Sequence, residues 1–125
     1  MKFVMSLILF VSVTILAGAQ SKIDATKLQL LKSENKKIQL VDLRTPGEIN
    51  KTGKIDGALS INYSAPDFES QVASLDKEKP VILYCAAGGR SAKAAGVLSK
   101  KGFKTVYDYT GGMSDWVSKG LKTVK

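Results

Sequence analysis

The run Val81-Ile82-Leu83-Tyr84-Cys85-Ala86-Ala87-Gly88-Gly89-Arg90-Ser91 carries more structural information than any other part of this chain. Residues 81–84 are a continuous apolar stretch led by β-branched side chains, which suits a strand buried on both faces of a parallel sheet. Cys85 ends that strand. Small residues follow, and Gly88 and Gly89 allow backbone angles that larger residues resist. Residues 90–101 (RSAKAAGVLSKK) read as a helix with Ala94, Ala95, Val97 and Leu98 inward and Gly102 as its stop. In open α/β sheets ligands gather at the carboxyl ends of strands. A tightly curled loop aims several N–H groups at one point, and the helix N-terminus adds partial positive charge. Arg90 adds a forked cation. All three favour a thiolate over a thiol, and the thiolate is the nucleophile. Cys85 is therefore the candidate catalytic residue, with Ala86, Ala87, Gly88, Gly89, Arg90 and Ser91 as the loop that binds a substrate.

Working outward, helical and extended patterns alternate. Residues 23–33 suit a helix capped by Asp24, and residues 38–43 (IQLVDL) a strand. Thr45-Pro46-Gly47 breaks the chain, and 47–52 suit one helical turn. A short strand is expected at 59–62, and a helix at 67–75 with Asp67 as N-cap and Phe68, Val72 and Leu75 on one face. Lys104 to Tyr109 reads as a strand. Gly111-Gly112 turns into a short helix through Trp116 and Val117, and the lysine-rich tail is expected to fray. Trp116 and Phe103 read as core. Strands alternating with helices imply an α/β fold with helices on both faces of a mainly parallel sheet.

Composition narrows the chemistry. The chain has 125 residues, one Cys, no His, and nineteen basic residues against eleven acidic ones. Without histidine there is no Ser-His-Asp triad, no Cys-His dyad and no zinc site of the H-E-x-x-H type. One Cys makes no internal disulfide, C-x-x-C pair or Fe–S cluster. The net charge of +8 comes from lysines spread over many segments, without an aromatic-interleaved basic motif. The reading is a solvated surface that draws small anions, not a nucleic-acid site.

Residues 1–19 (MKFVMSLILFVSVTILAGA) look like an address. Lys2 starts an apolar run that ends in Ala17-Gly18-Ala19, the small-x-small pattern of a secretory signal peptide. As a helix the run of about 14 residues reaches ~21 Å. A membrane span needs about 30 Å, so the run reads as a cleaved signal ahead of the alternative, an uncleaved anchor, and after cleavage no stable membrane insertion is expected. The domain is expected to occupy residues 20–125 and to be exported, to the periplasm or the medium.

With those residues in view, a resemblance becomes specific. Cys85-Ala86-Ala87-Gly88-Gly89-Arg90-Ser91 resembles the C-x-x-G-x-R-S active-site loop of the rhodanese-like (sulfurtransferase) superfamily. Val41-Asp42-Leu43-Arg44-Thr45-Pro46-Gly47-Glu48 is similar to its V-D-x-R-x-x-x-E segment. Gly53-Lys54-Ile55-Asp56-Gly57-Ala58-Leu59-Ser60-Ile61-Asn62 is similar to its G-H-I-x-G-A-x-x-x-N segment. Gly111-Gly112-Met113 with Trp116 resembles its closing G-G-x-x-x-W. These segments occur in the family's order, and both arginines fall inside them. The exported single-domain type is the nearest match. The resemblance implies a three-layer fold whose mainly parallel sheet has about five strands, with helices on both faces. Two positions depart from the pattern. Lys54 stands where the family often has His, and Ala86 where many thiosulfate-using members have Arg.

The resemblance also implies a mechanism. A Cys85 thiolate takes the outer sulfur of a small anionic donor such as thiosulfate, and the persulfide passes it to cyanide, a thiol or a thiol protein. That cycle requires no second Cys, no metal and no cofactor. Arg90 is expected to orient the loop and meet the donor. Asp42 and Arg44 are expected to support the site, with Arg44 free to pair with Glu48. Two alternatives stand beside this reading. One is a slow persulfide carrier or binding module. The other is a phosphatase or arsenate reductase relative, but cysteine phosphatases use C-x-x-x-x-x-R, and here only four residues separate Cys85 from Arg90.

Overall fold

A computed structural model describes residues 19–35 and 37–125. The expected leader, apart from Ala19, lies outside the described residues. The chain builds β1 (Ala19–Ile23), α1 (Ala25–Glu34), β2 (Gln39–Asp42), α2 (Pro46–Thr52), β3 (Lys54–Ile55) and β4 (Leu59–Ser60). It continues with α3 (Phe68–Val72), β5 (Val81–Tyr84), α4 (Gly89–Lys100), β6 (Thr105–Tyr109), α5 (Gly112–Ser118) and β7 (Thr123–Val124).

Five strands form one sheet in the order β1-β6-β5-β2-β4, and every pairing in it is parallel. Alternation along β5 divides the core into two layers. Val81, Leu83 and Cys85 face Phe68, Val72 and Leu75 of the α3 region and Ala94, Ala95 and Leu98 of α4. Ile82 and Tyr84 face the other way, toward Leu28 of α1, Met113 and Trp116 of α5, and Ile55. The result is the expected three-layer α/β arrangement. All four β5 residues are fully buried, as the continuous apolar run requires.

Local chemistry explains most boundaries. Asp24 caps α1 by accepting the Lys27 N–H at 2.8 Å. Thr45 caps α2 in a reciprocal box with Glu48, with Pro46 following the cap. Gly102 ends α4 with φ +91°, and Phe103 and Trp116 are core residues.

Several expectations are corrected. Strand β1 lies outside the expected elements. It pairs with β6 from Ala19↔Thr105 to Ile23↔Tyr109, and its four exposed residues carry no apolar signal. Helix α3 stops at Val72, and Asp67 makes no side-chain cap. Instead Asp67 accepts from the Gln71 side chain, while Ser70 and Ser74 hydroxyls bond the carbonyls of Asp67 and Gln71, which competes with continued helix. Strand β4 ends at Ser60. The C-terminal tail is ordered: β7 pairs antiparallel with β3, and Trp116 Nε1 donates to the Lys122 carbonyl at 2.9 Å.

Candidate active site

Cys85 leaves the carboxyl end of the central strand with only 1% of its surface exposed. The loop after it curls back, so that the Gly88 N–H donates to Cys85 Sγ at 3.1 Å. Ser91 Oγ lies 3.7 Å from the same sulfur and donates to the Gly88 carbonyl at 3.2 Å. Burial pushes the Cys85 thiol up, but hydrogen bonding from the Ser91 backbone and hydroxyl and from the Gly88 and Ala87 N–H groups outweighs it. The net effect holds the thiol below its ordinary value. This activation involves no imidazole.

The curl depends on glycine at two points. Gly88 sits at φ +98°, and a Cβ there would lie 2.6 Å from the Thr110 carbonyl oxygen. Gly112 sits at φ +61°, and a Cβ there would lie 2.5 Å from the Cys85 carbonyl oxygen. Bare backbone at Gly112 lets the start of α5 press onto the loop. There the Met113 N–H donates to the Cys85 carbonyl at 2.8 Å and the Ser114 N–H to the Ala86 carbonyl at 3.0 Å. These bonds occupy loop carbonyls, which leaves the loop N–H groups to face the sulfur.

Both arginines are committed to carboxylates. Arg90 forks onto Glu48, with Nη1 at 2.7 Å from Oε1 and Nη2 at 2.9 Å from Oε2. The Arg90 bond, with help from Thr45, holds the Glu48 carboxyl well down, at about 2, against the opposing effect of partial burial. Arg44 does not pair with Glu48. It forks onto Asp42, with Nη2 2.8 Å from Oδ2, and reaches the Thr52 hydroxyl and the Gly53 carbonyl at 2.8 and 2.7 Å. Asp42 and Arg44 are 0% and 2% exposed. The pairing differs from the expectation because Arg44 follows Asp42 by two residues at the strand end, and its own N–H already donates to Asp42 Oδ1. Glu48 is instead turned toward α4 by its place in the first turn of α2. Asp42 and Arg44 thus tie β2 to the end of α2, beside the loop.

A cleft of about 330 Å³ opens next to the loop, lined by Arg44, Glu48, Lys51, Thr52, Ala86, Met113, Ser114 and Val117. Lys51 is the lining cation outside the two forks. Lys54 belongs elsewhere: it pairs with Val124 in the β3–β7 ribbon. Among the described residues no group of His, Cys, Asp or Glu side chains could hold a metal ion.

Residues 24–119 match the model of the rhodanese-like domain. The chain belongs to the rhodanese-like family. Among rhodanese-like relatives, a sulfurtransferase of Allochromatium vinosum is 31% identical over 104 residues, which span 83% of this chain and 94% of the relative. A thiosulfate sulfurtransferase of Shewanella oneidensis is 34% identical over 84 residues, 67% of this chain and 80% of the relative. Among solved structures, the polysulfide-sulfur transferase homodimer of Wolinella succinogenes superposes with a TM-score of 0.72 at 32% identity, covering 84% of this chain and 78% of that one. These likenesses support a sulfurtransferase role at the level of the family.

Sequence reasoning missed Glu48 as the partner of Arg90, although Thr45-Pro46-Gly47-Glu48 already spells a capping box. It also missed Asp108, which is buried on β6 beside Leu83 and has no signature of its own in the sequence.

Proposed function

We propose that this protein is a sulfurtransferase that carries a sulfane sulfur on Cys85. The observation that carries this reading is a buried sulfur held as an acid by surrounding N–H and O–H groups at the end of a central strand. The Cys85 thiolate attacks the outer sulfur of the donor, and a new S–S bond forms. The donor's own S–S bond breaks, and its remainder departs with the electron pair, as sulfite if the donor is thiosulfate. The anionic terminal sulfur then lies in a loop built for negative charge. In the second step cyanide or a thiolate attacks that terminal sulfur, and Cys85 leaves as the thiolate.

The donor charge follows from the forks. Arg44 and Arg90 each face a carboxylate, and Ala86 brings no charge. Lys51 at the cleft suits a donor with one negative charge, such as a hydropolysulfide or an organic persulfide, ahead of the thiosulfate dianion. Residues 1–19 direct the domain to an exported location in this reading, and cleavage after Ala19 keeps the Gln20–Ile23 part of β1.

The test is intact mass after exposure to polysulfide, an organic persulfide or thiosulfate. The protein gains one sulfur atom, most readily from the singly charged donors, and Cys85→Ser gains none. Absence of an adduct with every sulfane donor overturns the proposal. An adduct that neither cyanide nor a thiol removes faster than buffer does would make the protein a carrier instead of an enzyme.

A further inference from the structure

The described residues contain a buried carboxyl that the sulfur chemistry above leaves unused. Asp108 is 3% exposed, and its Oδ1 has no hydrogen-bond partner. A buried acceptor in that state is costly and needs a reason. In the register of the sheet Asp108 stands beside Leu83 of β5, two residues before Cys85. It shares the α4 side of the sheet with Val106, Leu83 and Cys85. Ser91 is fully buried in the first turn of α4, beside Cys85, and Ala92 after it lines a cleft with Asp108.

We propose that Asp108 is a positioning residue of the sulfur site: acting through Ser91, it decides whether the Ser91 hydroxyl hydrogen points to Cys85 Sγ or away from it. This rests on the reading of Cys85 as the sulfur-carrying nucleophile. A hydroxyl has one hydrogen to give and two lone pairs. Ser91 Oγ accepts from the Cys85 thiol at 3.7 Å and donates to the Gly88 carbonyl at 3.2 Å, and a thiolate at Cys85 would compete with that carbonyl for the hydroxyl hydrogen. The Asp108 carboxyl is placed to be a further acceptor: its Oδ1 is unpartnered, and Asp108 lines one cleft with Ala92, the residue after Ser91, while Ser91 also draws its titration downward. When Asp108 is ionised it attracts the hydroxyl hydrogen. Sγ then faces oxygen lone pairs, which suit a thiol S–H. When Asp108 is protonated its own O–H bonds Ser91 Oγ, and the Ser91 O–H is free to turn to Sγ. That arrangement suits a thiolate or a persulfide anion. The pair therefore shares a proton: Cys85–SH and Asp108–COO⁻ become Cys85–S⁻ and Asp108–COOH, with only the S–H and O–H bonds changing.

The surroundings support this sharing. Burial raises the Asp108 carboxyl, while Ser91 and the charge of Lys22 pull it back. Lys22 is its register partner on β1. β5 presents apolar Leu83 and then Cys85. α4 presents Ser91 and Ala92, and the Arg90 charge at its start is held by Glu48. A second cleft, of about 260 Å³ and lined by Asp108 with Gln20, Ser21, Lys22 and Ala92, shares no lining residue with the sulfur cleft.

The single cysteine makes the test direct. The rate of Cys85 alkylation by iodoacetamide, followed against pH in the full chain, reports the thiolate without sulfur transfer. Failure here is thus distinguishable from failure of the persulfide reading. Asp108→Asn keeps the shape, offers a permanent N–H to Ser91 and removes the charge. It is expected to move the thiolate titration to lower pH and to speed alkylation on the acid flank about tenfold, one pKa unit. In a Ser91→Ala background the same change is expected to give a markedly smaller gain. Superimposed profiles for Asp108→Asn and wild type overturn the proposal. So does an equal gain in both backgrounds, which means a bare charge effect that bypasses Ser91. Lys22→Gln provides a second test at an exposed position. Loss of that cation keeps Asp108 protonated to higher pH, so alkylation on the acid flank is expected to quicken about twofold, against the slowing that loss of a cation near a thiolate otherwise causes. Slower or unchanged alkylation in Lys22→Gln overturns the proposal even if Asp108→Asn does not fold.

Discussion

Glu48 joins α2 to α4, and Glu48→Gln measures what that junction contributes. Its carboxylate receives both outer nitrogens of Arg90 at 2.7 and 2.9 Å. It also closes the cap of its own helix, with Thr45 N–H and Oγ1 at 3.3 and 3.2 Å. The Arg90 bond, opposed by partial burial, depresses the carboxyl from 4.5 to about 2. Taken at face value that depression equals ~3 kcal/mol of preference for the ionised, folded form. Arg90 and Glu48 are 27% and 35% exposed, however, and solvent screening reduces the contribution to about 1 kcal/mol. For a depressed carboxylate the stabilisation is fully present above its unfolded value and is lost as pH falls toward its folded value. Here that window runs from 4.5 down to about 2. Glutamine keeps the shape but has no charge to titrate. At neutral pH Glu48→Gln is therefore expected to unfold about 1 kcal/mol more easily, a fall in Tm of about 4–8 °C for a domain of this size. Urea denaturation of both proteins, repeated as pH falls from about 6 toward the acid limit of folding, measures the difference. The wild-type advantage should shrink steadily below about pH 4.5. An advantage that stays constant through that range refutes the ion pair as its source.

Further outcomes follow from the loop and its supports. Gly112→Ala places a methyl 2.5 Å from one carbonyl oxygen and 2.7 Å from another. α5 must then back away, so a loss of more than about 2 kcal/mol is expected, and the Cys85 alkylation profile should move to higher pH as the loop loosens. Arg44→Met leaves the buried Asp42 carboxylate without its fork, and equilibrium denaturation should register a loss of about 3–5 kcal/mol. A loss under about 1 kcal/mol would mean that water replaces the guanidinium. Truncation after Gly120 removes the Lys122 carbonyl from Trp116 and strips β7 from β3. Trp116 fluorescence should shift to the red, whereas an unchanged spectrum would show that the tail does not shield the indole.

The stretch 81–91 was legible because its signals are local. A continuous apolar run can only be a buried strand or a piece of buried helix, and the glycines and the alanine-rich helix after it settle which. The same locality exposes Cys85 as an acid under converging N–H groups, since strand, curl and helix start lie within eleven consecutive residues. The α1 cap and the inward face of α4 are equally local, set by side chains three or four residues apart. The absence of histidine was visible at once, and with it the need for another means of forming a thiolate.

Tertiary structure decided the rest, because the partners are distant in the chain. Glu48 meets Arg90 across 42 positions, and at the level of sequence Arg44 was an equally plausible partner. Strand β1 exists because β6 offers it a ladder, not because its exposed residues favour a strand. The lysine-rich tail is ordered because Trp116 and β3 supply hydrogen bonds that the tail cannot make with itself. Asp108 reads as an ordinary strand residue until the sheet buries it beside Leu83, on the strand that ends in Cys85. Sequence encodes propensities and contacts between neighbours, and these sufficed for the nucleophile and the layers of the fold. The pairing of each charge depends on which segments the sheet brings together, and no local signal carries that information.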